Sequence, residues 1–362
     1  MKIGDNLIIV DGFSQSSYAD AFCEKFMSGN YPRYVLGRNA YALSISHAVE
    51  IDGFIDDFTQ DTLFCGKPVV SANNAPKNSL VVSAVVLGRP VSAQNRILEV
   101  GLVGLDYLSF KKLSGLDLKS VLFTDLFHDE FKTHRKKYEL VFHLLADNES
   151  RRILQCLLNY RLTHDLRYMQ GFVDAQNRQY FEDFLDLKAN GETFIDVGCF
   201  DGYTSLEFIR RCPGYNKIHV FEPDPTNMER AKQRLQQYPS IQFHSSGCSD
   251  RTQTLNFRSD GSSSQLCNDG DFTIAVDRID NLVDDKFTFL KMDIEGGEIP
   301  AIEGARESIL RHHPRLAICV YHKVDDIWRV PSLILGIRDD YKVYLRHYTE
   351  GVTETVMFFV PN

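Results

Sequence analysis

The stretch FLKMDIEGGEIPAIEGA places three carboxylates, Asp293, Glu295 and Glu298, within six residues, around the pair Gly296-Gly297. Acids this close repel one another, and the arrangement persists when a proton or a cation neutralises part of the charge. The apolar residues before them read as a strand. The acids then fall at a strand's C-terminal end, where α/β proteins bind ligands. A second run, LAICVYHKVDD, ends on Tyr321 and His322. A histidine at such an edge can take a proton from a hydroxyl near neutral pH. These residues describe a site that neutralises a positive group and moves a proton. Asp293 and His322 are the candidate catalytic bases, and Glu295 and Tyr321 are placed against the substrate. A divalent metal on Asp293 and Glu295 stays open, because the sequence holds no His-based metal motif.

The apolar run in FIDVGCFDGYTS, residues 194–205, ends in Asp196 and breaks into a turn shaped by Gly198 and Gly202, with Thr204 in the first turn of the helix that follows. Strand, glycine turn and helix together cradle a nucleotide-like ligand, because a glycine lets backbone amides approach it closely. A pyrophosphate at the helix N-terminus would be repelled by Asp201, whereas a sulfonium or an amino-acid cation would be tolerated there. The turn therefore favours S-adenosylmethionine over NAD. In IHVFEPDP, Glu222 closes the next strand 26 residues after Asp196, and Pro223 stiffens the turn behind it. An acid at this point accepts ribose hydroxyls. The cofactor set is Asp196, Gly198, Asp201, Gly202, Thr204, Glu222 and Pro223.

The elements that must position these residues alternate regularly. Apolar runs predict strands at 193–198, 217–222, 241–245, 287–293, 315–321, 341–347 and 354–360. Helical spacing appears at 203–212, 225–237, 299–311 and 325–337. The last two strands are separated only by TEGV, too little for a parallel crossover, so the final strand is reversed. The expectation is an α/β fold with a Rossmann-like, mostly parallel seven-stranded sheet, the arrangement of class I methyltransferases. Residues 247–275 read as loop and short strands beside the cofactor edge. Arg346, in LRHY on the last hairpin, is a further substrate candidate.

Upstream, residues 1–125 read as a smaller Rossmann-like α/β domain, residues 126–188 as a helical connector and residues 189–362 as the methyltransferase domain. In the first of these, RYVLGRNAY runs into a turn at Gly37 that lacks the further glycines of a dinucleotide motif; Arg38 and Asn39 would crowd a pyrophosphate. Its reading is a retained fold that serves packing, substrate placement or partner binding.

Composition narrows the function. The 362 residues carry a net charge of −9, which disfavours nucleic-acid binding. Eight cysteines occur without a CxxC pair or zinc-site spacing, as suits a reducing compartment. The N-terminal MKIGDNLIIVDGF is short and acidic for a signal peptide, and nothing approaches the roughly 20 apolar residues of a membrane span. The expectation is a cytoplasmic protein with a small-molecule or glycan substrate, no nucleic-acid or membrane partner, and homo-oligomerisation left open.

Taken together, FIDVGCFDGYTS, VFEPDP, KMDIEGGEIPAIEGA and VYHKVDDIW resemble the FkbM family of S-adenosylmethionine-dependent methyltransferases, over roughly 140–362. The resemblance implies an O-methyltransferase acting on sugars, glycans or polyketide-type hydroxyls. It carries cofactor roles onto Asp196, Gly198, Gly202 and Glu222, while Cys199, Phe200 and Asp201 depart from the family's smaller turn residues. GFIDDF and GKPVV are similar to nucleotide-fold domains that precede acyltransferases of nucleotide-linked sugars, which points to a sugar-type substrate. Two other readings stand beside this one: an NAD-linked sugar-nucleotide oxidoreductase using the Gly37 turn, and a non-enzymatic binding protein on a degenerate methyltransferase fold.

Overall fold

The computed structural model describes residues 6–10, 17–258, 265–266 and 272–362. Cys267, part of the 247–275 excursion and most of the N-terminal stretch read for a signal peptide lie outside the described residues. The chain forms two compact units. The first comprises Met1–Thr133, Arg152–Gln176 and His347–Thr353; the second comprises His134–Arg151, Asn177–Arg346 and Glu354–Asn362.

In the first unit, helix α1 (Ser17–Ser28) precedes β1 (Arg33–Leu36), α2 (Ala40–Ala48), β2 (Gly53–Ile55), β3 (Leu63–Phe64), β4 (Lys67–Val70), β5 (Leu80–Ser83), α3 (Pro90–Glu99), β6 (Val103–Asp106) and α4 (Tyr107–Ser114). The strands pair in the order β3-β4-β2-β1-β5-β6. All of these pairings are parallel except that of β3 with β4. Buried Leu36, Ile55, Val81, Ile97 and Leu102 pack its core. The late segment His347–Thr353 is bound into this unit. The Glu350 carboxylate accepts from the Ser92 amide and hydroxyl at the start of α3. A Cβ on Gly351 would sit 1.9 Å from the Leu87 carbonyl, so only glycine fits there.

Helices α5 (Thr124–Leu144) and α6 (Asn148–Thr163) follow. Helix α5 leaves helical geometry at His134 (φ −116°, ψ 18°), the residue at which the second unit begins. The expected helical stretch from 126 to 188 is regular only as far as Thr163; beyond it the chain makes short 3-10 turns at Leu166–Met169, Gln176–Arg178 and Asp183–Leu185.

The second unit is built on β7 (Thr193–Val197), α7 (Tyr203–Arg211), β8 (Lys217–Phe221), α8 (Pro225–Leu235) and β9 (Ile241–His244). Four short strands come next: β10 (Gly247–Cys248), β11 (Gln253–Arg258), β12 (Gln265–Leu266) and β13 (Phe272–Asp277). The chain continues through α9 (Ile279–Leu282), β14 (Phe289–Met292), α10 (Glu298–Gly304), α11 (Arg306–His312), β15 (Arg315–Cys319), α12 (Asp326–Ile337), β16 (Tyr341–His347) and β17 (Thr355–Pro361). The main sheet has the order β16-β17-β15-β14-β7-β8-β9. Strands β9, β8, β7, β14 and β15 run parallel, and β17 is antiparallel to β15. The helix expected over 299–311 is two helices broken at Ala305, where a Cβ on Gly304 would meet the Ser249 carbonyl at 1.9 Å.

The central strands of this sheet read as largely apolar runs, the pattern of a sheet covered on both faces. Every residue of β7 is buried. Phe194 stacks on Phe208 of α7 at 4.5 Å and on Phe289 of β14 at 5.0 Å. Burying such a ring is worth about 1.5–3 kcal/mol. From β7 the chain winds to β8 and β9 on one side and later returns as β14 on the other. The carboxyl ends of β7 and β14 thus flank a topological switch point, where open α/β sheets bind ligands. No helix among the described residues is long and apolar enough to cross a membrane.

Candidate functional site

The switch point is held together by a buried ion pair. Asp196, on β7, is fully buried; its Oδ2 accepts from Ser205 of α7 at 2.7 Å, and its Oδ1 lies 3.3 Å from Lys291 Nζ on β14. Lys291 also donates to the Gly198 carbonyl at 2.6 Å. Burial alone would lower the lysine pKa, but Asp196 and Asp293 outweigh it and hold the ammonium charged. Asp196, expected at the cofactor, is engaged by Lys291 and Ser205. Gly198 has φ +77°, and a Cβ there would lie 1.9 Å from the Asp293 carbonyl. The glycine lets the β7 turn and the β14 turn touch.

Glu222 ends β8. Its two carboxylate oxygens accept from the Phe200 amide (3.0 Å) and the Asp224 amide (2.9 Å). The bond to Phe200 steadies a residue at φ +53° in the glycine turn. Burial raises the Glu222 carboxyl to about 7, against the pull of these two amides. Beside it opens an apolar cleft lined by Phe221, Pro223, Cys248, Ile274, Val276 and Ile294. Gly202 caps α7 at φ +80°, with Ala231 of α8 close behind it. Thr204 is half-buried in the first turn of α7. Asp201 is spent internally: it pairs with Arg234 at 2.5 Å and accepts from the Tyr203 amide.

Across the switch point, the β14 turn carries the acids. Glu295 adopts φ +53°, ahead of Gly296 at φ +95°. His322, after β15, lies with Nε2 3.3 Å from Asp293 Oδ1 and 3.6 Å from Glu295 Oε2. Its Nδ1 donates to Glu298 Oε1 at 2.8 Å, and that oxygen also takes the Ile294 amide. Tyr180 donates to Asp293 Oδ2 at 2.6 Å. Tyr321 reaches Asp293 at 3.4 Å and Glu354 at 3.3 Å, and Gln179 holds the other Glu354 oxygen. Tyr180, Glu295 and Glu354 are non-glycine residues at φ between +53° and +74°. Backbone strain of this kind collects at functional sites.

Charge is distributed unevenly here. Burial would lower the His322 pKa, but Glu298, Asp293 and Glu295 raise it to about 10. The imidazole is thus protonated at neutral pH, which argues against His322 as the free base. Burial works to raise the Asp293 carboxyl, yet Lys291 and His322 hold it below its ordinary value. Glu295 and Glu354 are pushed up to about 7, chiefly by burial, with Asp293 adding to it. Arg346 stands outside this network: it binds Asp147 at 2.7 Å and Ser150 at 2.8 Å, above the Phe184 ring. Its guanidinium is engaged at the α5–α6 junction.

Residues 196–346 match the family model described as Methyltransferase FkbM domain. This stretch is a methyltransferase FkbM domain. The chain is also similar to a methyltransferase FkbM from Methylobacillus flagellatus KT, with TM-score 0.77 and 25% identity over 96% of this chain and 94% of that one. An rRNA methylase from Streptococcus thermophilus matches with TM-score 0.34 and 14% identity, over 49% of this chain and 92% of its own. No curated protein matches the sequence. The family supports methyltransferase activity.

Within the FkbM domain, sequence reasoning missed Lys291; a lysine inside an apolar strand was the available signal, since a buried ammonium needs a partner. Outside the matched stretch, Gln179, Tyr180 and Glu354 gave no signal, because each reaches the site only through the fold. At the Gly37 turn of the first unit, Arg38 is paired with Asp56 and Asp61 at 2.7 Å each, and Asn39 caps α2 and binds the Ala84 carbonyl. The groups that a dinucleotide would have to meet there are already engaged.

Proposed function

We propose that the protein transfers a methyl group from S-adenosylmethionine to a hydroxyl of a sugar, glycan or related acceptor. The observation that carries this reading is the placement of Glu222 and Asp293 immediately after the two strands that flank β7, either side of the switch point. Glu222 would take the ribose hydroxyls, and the apolar cleft beside it the adenine. Gly198 and the turn after it would line the methionine part, and the acid cluster would receive the acceptor. In the reaction a C–O bond forms between acceptor oxygen and methyl carbon as the C–S bond breaks, leaving a neutral thioether. The sulfonium is a good leaving group, so alignment supplies most of the acceleration. The hydroxyl proton passes to a carboxylate of the cluster, where Tyr321 links Asp293 to Glu354.

Calorimetric titration with S-adenosylhomocysteine tests the first half: saturable binding is expected, and no heat at millimolar ligand would overturn it. A mass gain of one methyl on a hydroxylated sugar, found by mass spectrometry, tests the second; a methyl appearing on nitrogen instead would refute O-transfer.

A further inference from the structure

The acid cluster also has the make-up of a cation site. One ligand atom from each of Asp293, Glu295 and His322 lies within 4.8 Å of the other two. His322 Nε2 is 3.3 Å and 3.6 Å from the two carboxylate oxygens. Ligands about 2.0–2.2 Å from one ion lie about 3.0–3.5 Å from one another, close to what is found.

An acidic cluster alone would not carry this, but His322 supplies a separate indication. Its side chain is 4% exposed, and its Nε2 makes no hydrogen bond although it points at the carboxylates. The other nitrogen is fixed by Glu298, which accepts from Nδ1. A carboxylate behind the far nitrogen of an imidazole is the arrangement that orients a metal-binding histidine. Asp293 is steadied in the same way by Tyr180 at 2.6 Å. Four carboxylates, on Asp293, Glu295, Glu298 and Glu354, bear on His322. Lys291 bears on Asp293 from within the sheet. Glu295, with a side chain 30% exposed, marks the open side.

We propose that Asp293, Glu295 and His322 bind one divalent cation of the type served by mixed nitrogen and oxygen ligands, such as Mn²⁺ or Zn²⁺, the ion displacing to solvent the proton that His322 Nε2 carries in the ion-free site, with Glu298 and Tyr180 as positioning residues. The remaining coordination positions face the open side and would take the acceptor's hydroxyl oxygen, lowering its pKa. That role rests on the methyl-transfer reading above; ion binding does not.

The test titrates the full-length protein with Mn²⁺, following the free ion by electron paramagnetic resonance, and measures S-adenosylhomocysteine binding separately by calorimetry. About one ion per chain is expected. Glu295→Gln, at a partly exposed side chain, should weaken Mn²⁺ at least about tenfold and leave the nucleoside affinity unchanged. Glu298→Gln should weaken Mn²⁺ by about 10–100-fold through the loosened imidazole. No bound Mn²⁺ or Zn²⁺ at millimolar ion, or undiminished Mn²⁺ binding in Glu295→Gln, overturns the proposal. Nucleoside binding without ion binding removes this inference alone; ion binding without nucleoside binding removes the methyl-transfer reading and upholds the ion site.

Discussion

Lys291 Nζ lies 3.3 Å from Asp196 Oδ1, and neither side chain reaches solvent. Asp196 Oδ1 has no hydrogen bond, so the lysine is what compensates its charge. Removing one partner of such a pair leaves a buried charge uncompensated, at a cost of about 3–5 kcal/mol. Lys291→Met should lower the stability of the second unit by that order, read as a fall in its urea midpoint at unchanged slope. An unchanged midpoint would mean that water or another group takes the lysine's place.

Glu222 links cofactor binding to pH. Only the ionised carboxylate can accept ribose hydroxyls while it holds two backbone amides. Its carboxyl stands near 7 in the free protein, so acidification through that range protonates it. Affinity for S-adenosylhomocysteine should therefore fall between pH 8 and 5.5, by up to about tenfold for each unit below 7. Glu222→Ala should bind more weakly throughout and lose this dependence. A wild-type affinity that is flat with pH would assign the ribose to another residue.

Gly198→Ala inserts a methyl group where the Asp293 carbonyl already lies, at a backbone angle that alanine resists. A loss of more than about 2 kcal/mol is expected, together with loss of nucleoside binding, because the Asp293 turn must move. Thermal unfolding and calorimetry on the same variant would show both effects. A stable variant that still binds would contradict the close approach.

Arg346→Ala separates anchoring from recognition. Its charged hydrogen bonds to Asp147 and Ser150 are worth about 1.5–3 kcal/mol each before relaxation. Denaturation should show the loss, while affinity for S-adenosylhomocysteine stays the same. A fall in kcat/KM for the acceptor, in a variant shown to be folded, would return Arg346 to the substrate side.

What the sequence revealed depended on how local the physics was. The strand before Glu222 and the acids after β14 were legible because apolar runs end abruptly in charge, and the sheet puts such ends on one edge. Gly198 was legible as a turn residue, though not as a contact with a carbonyl 95 residues away. Tyr180 was hidden because its partner Asp293 is 113 residues distant and its own neighbourhood is irregular. Asp201 did not disclose its partner Arg234, which sits on another helix. Arg346 was opaque for the same reason: a surface-like LRHY pattern does not disclose Asp147.

The return of His347–Thr353 to the first unit has a consequence for how the protein is made. On the ribosome, the part of the molecule that starts to emerge earliest cannot close until nearly the whole chain has been synthesised, because Glu350 and Gly351 complete it. Cutting the gene at one place would yield no intact half. Attempts to express the first unit from the early part of the gene alone should give aggregation-prone material, unless the missing seven residues are grafted back by circular permutation or supplied as a peptide.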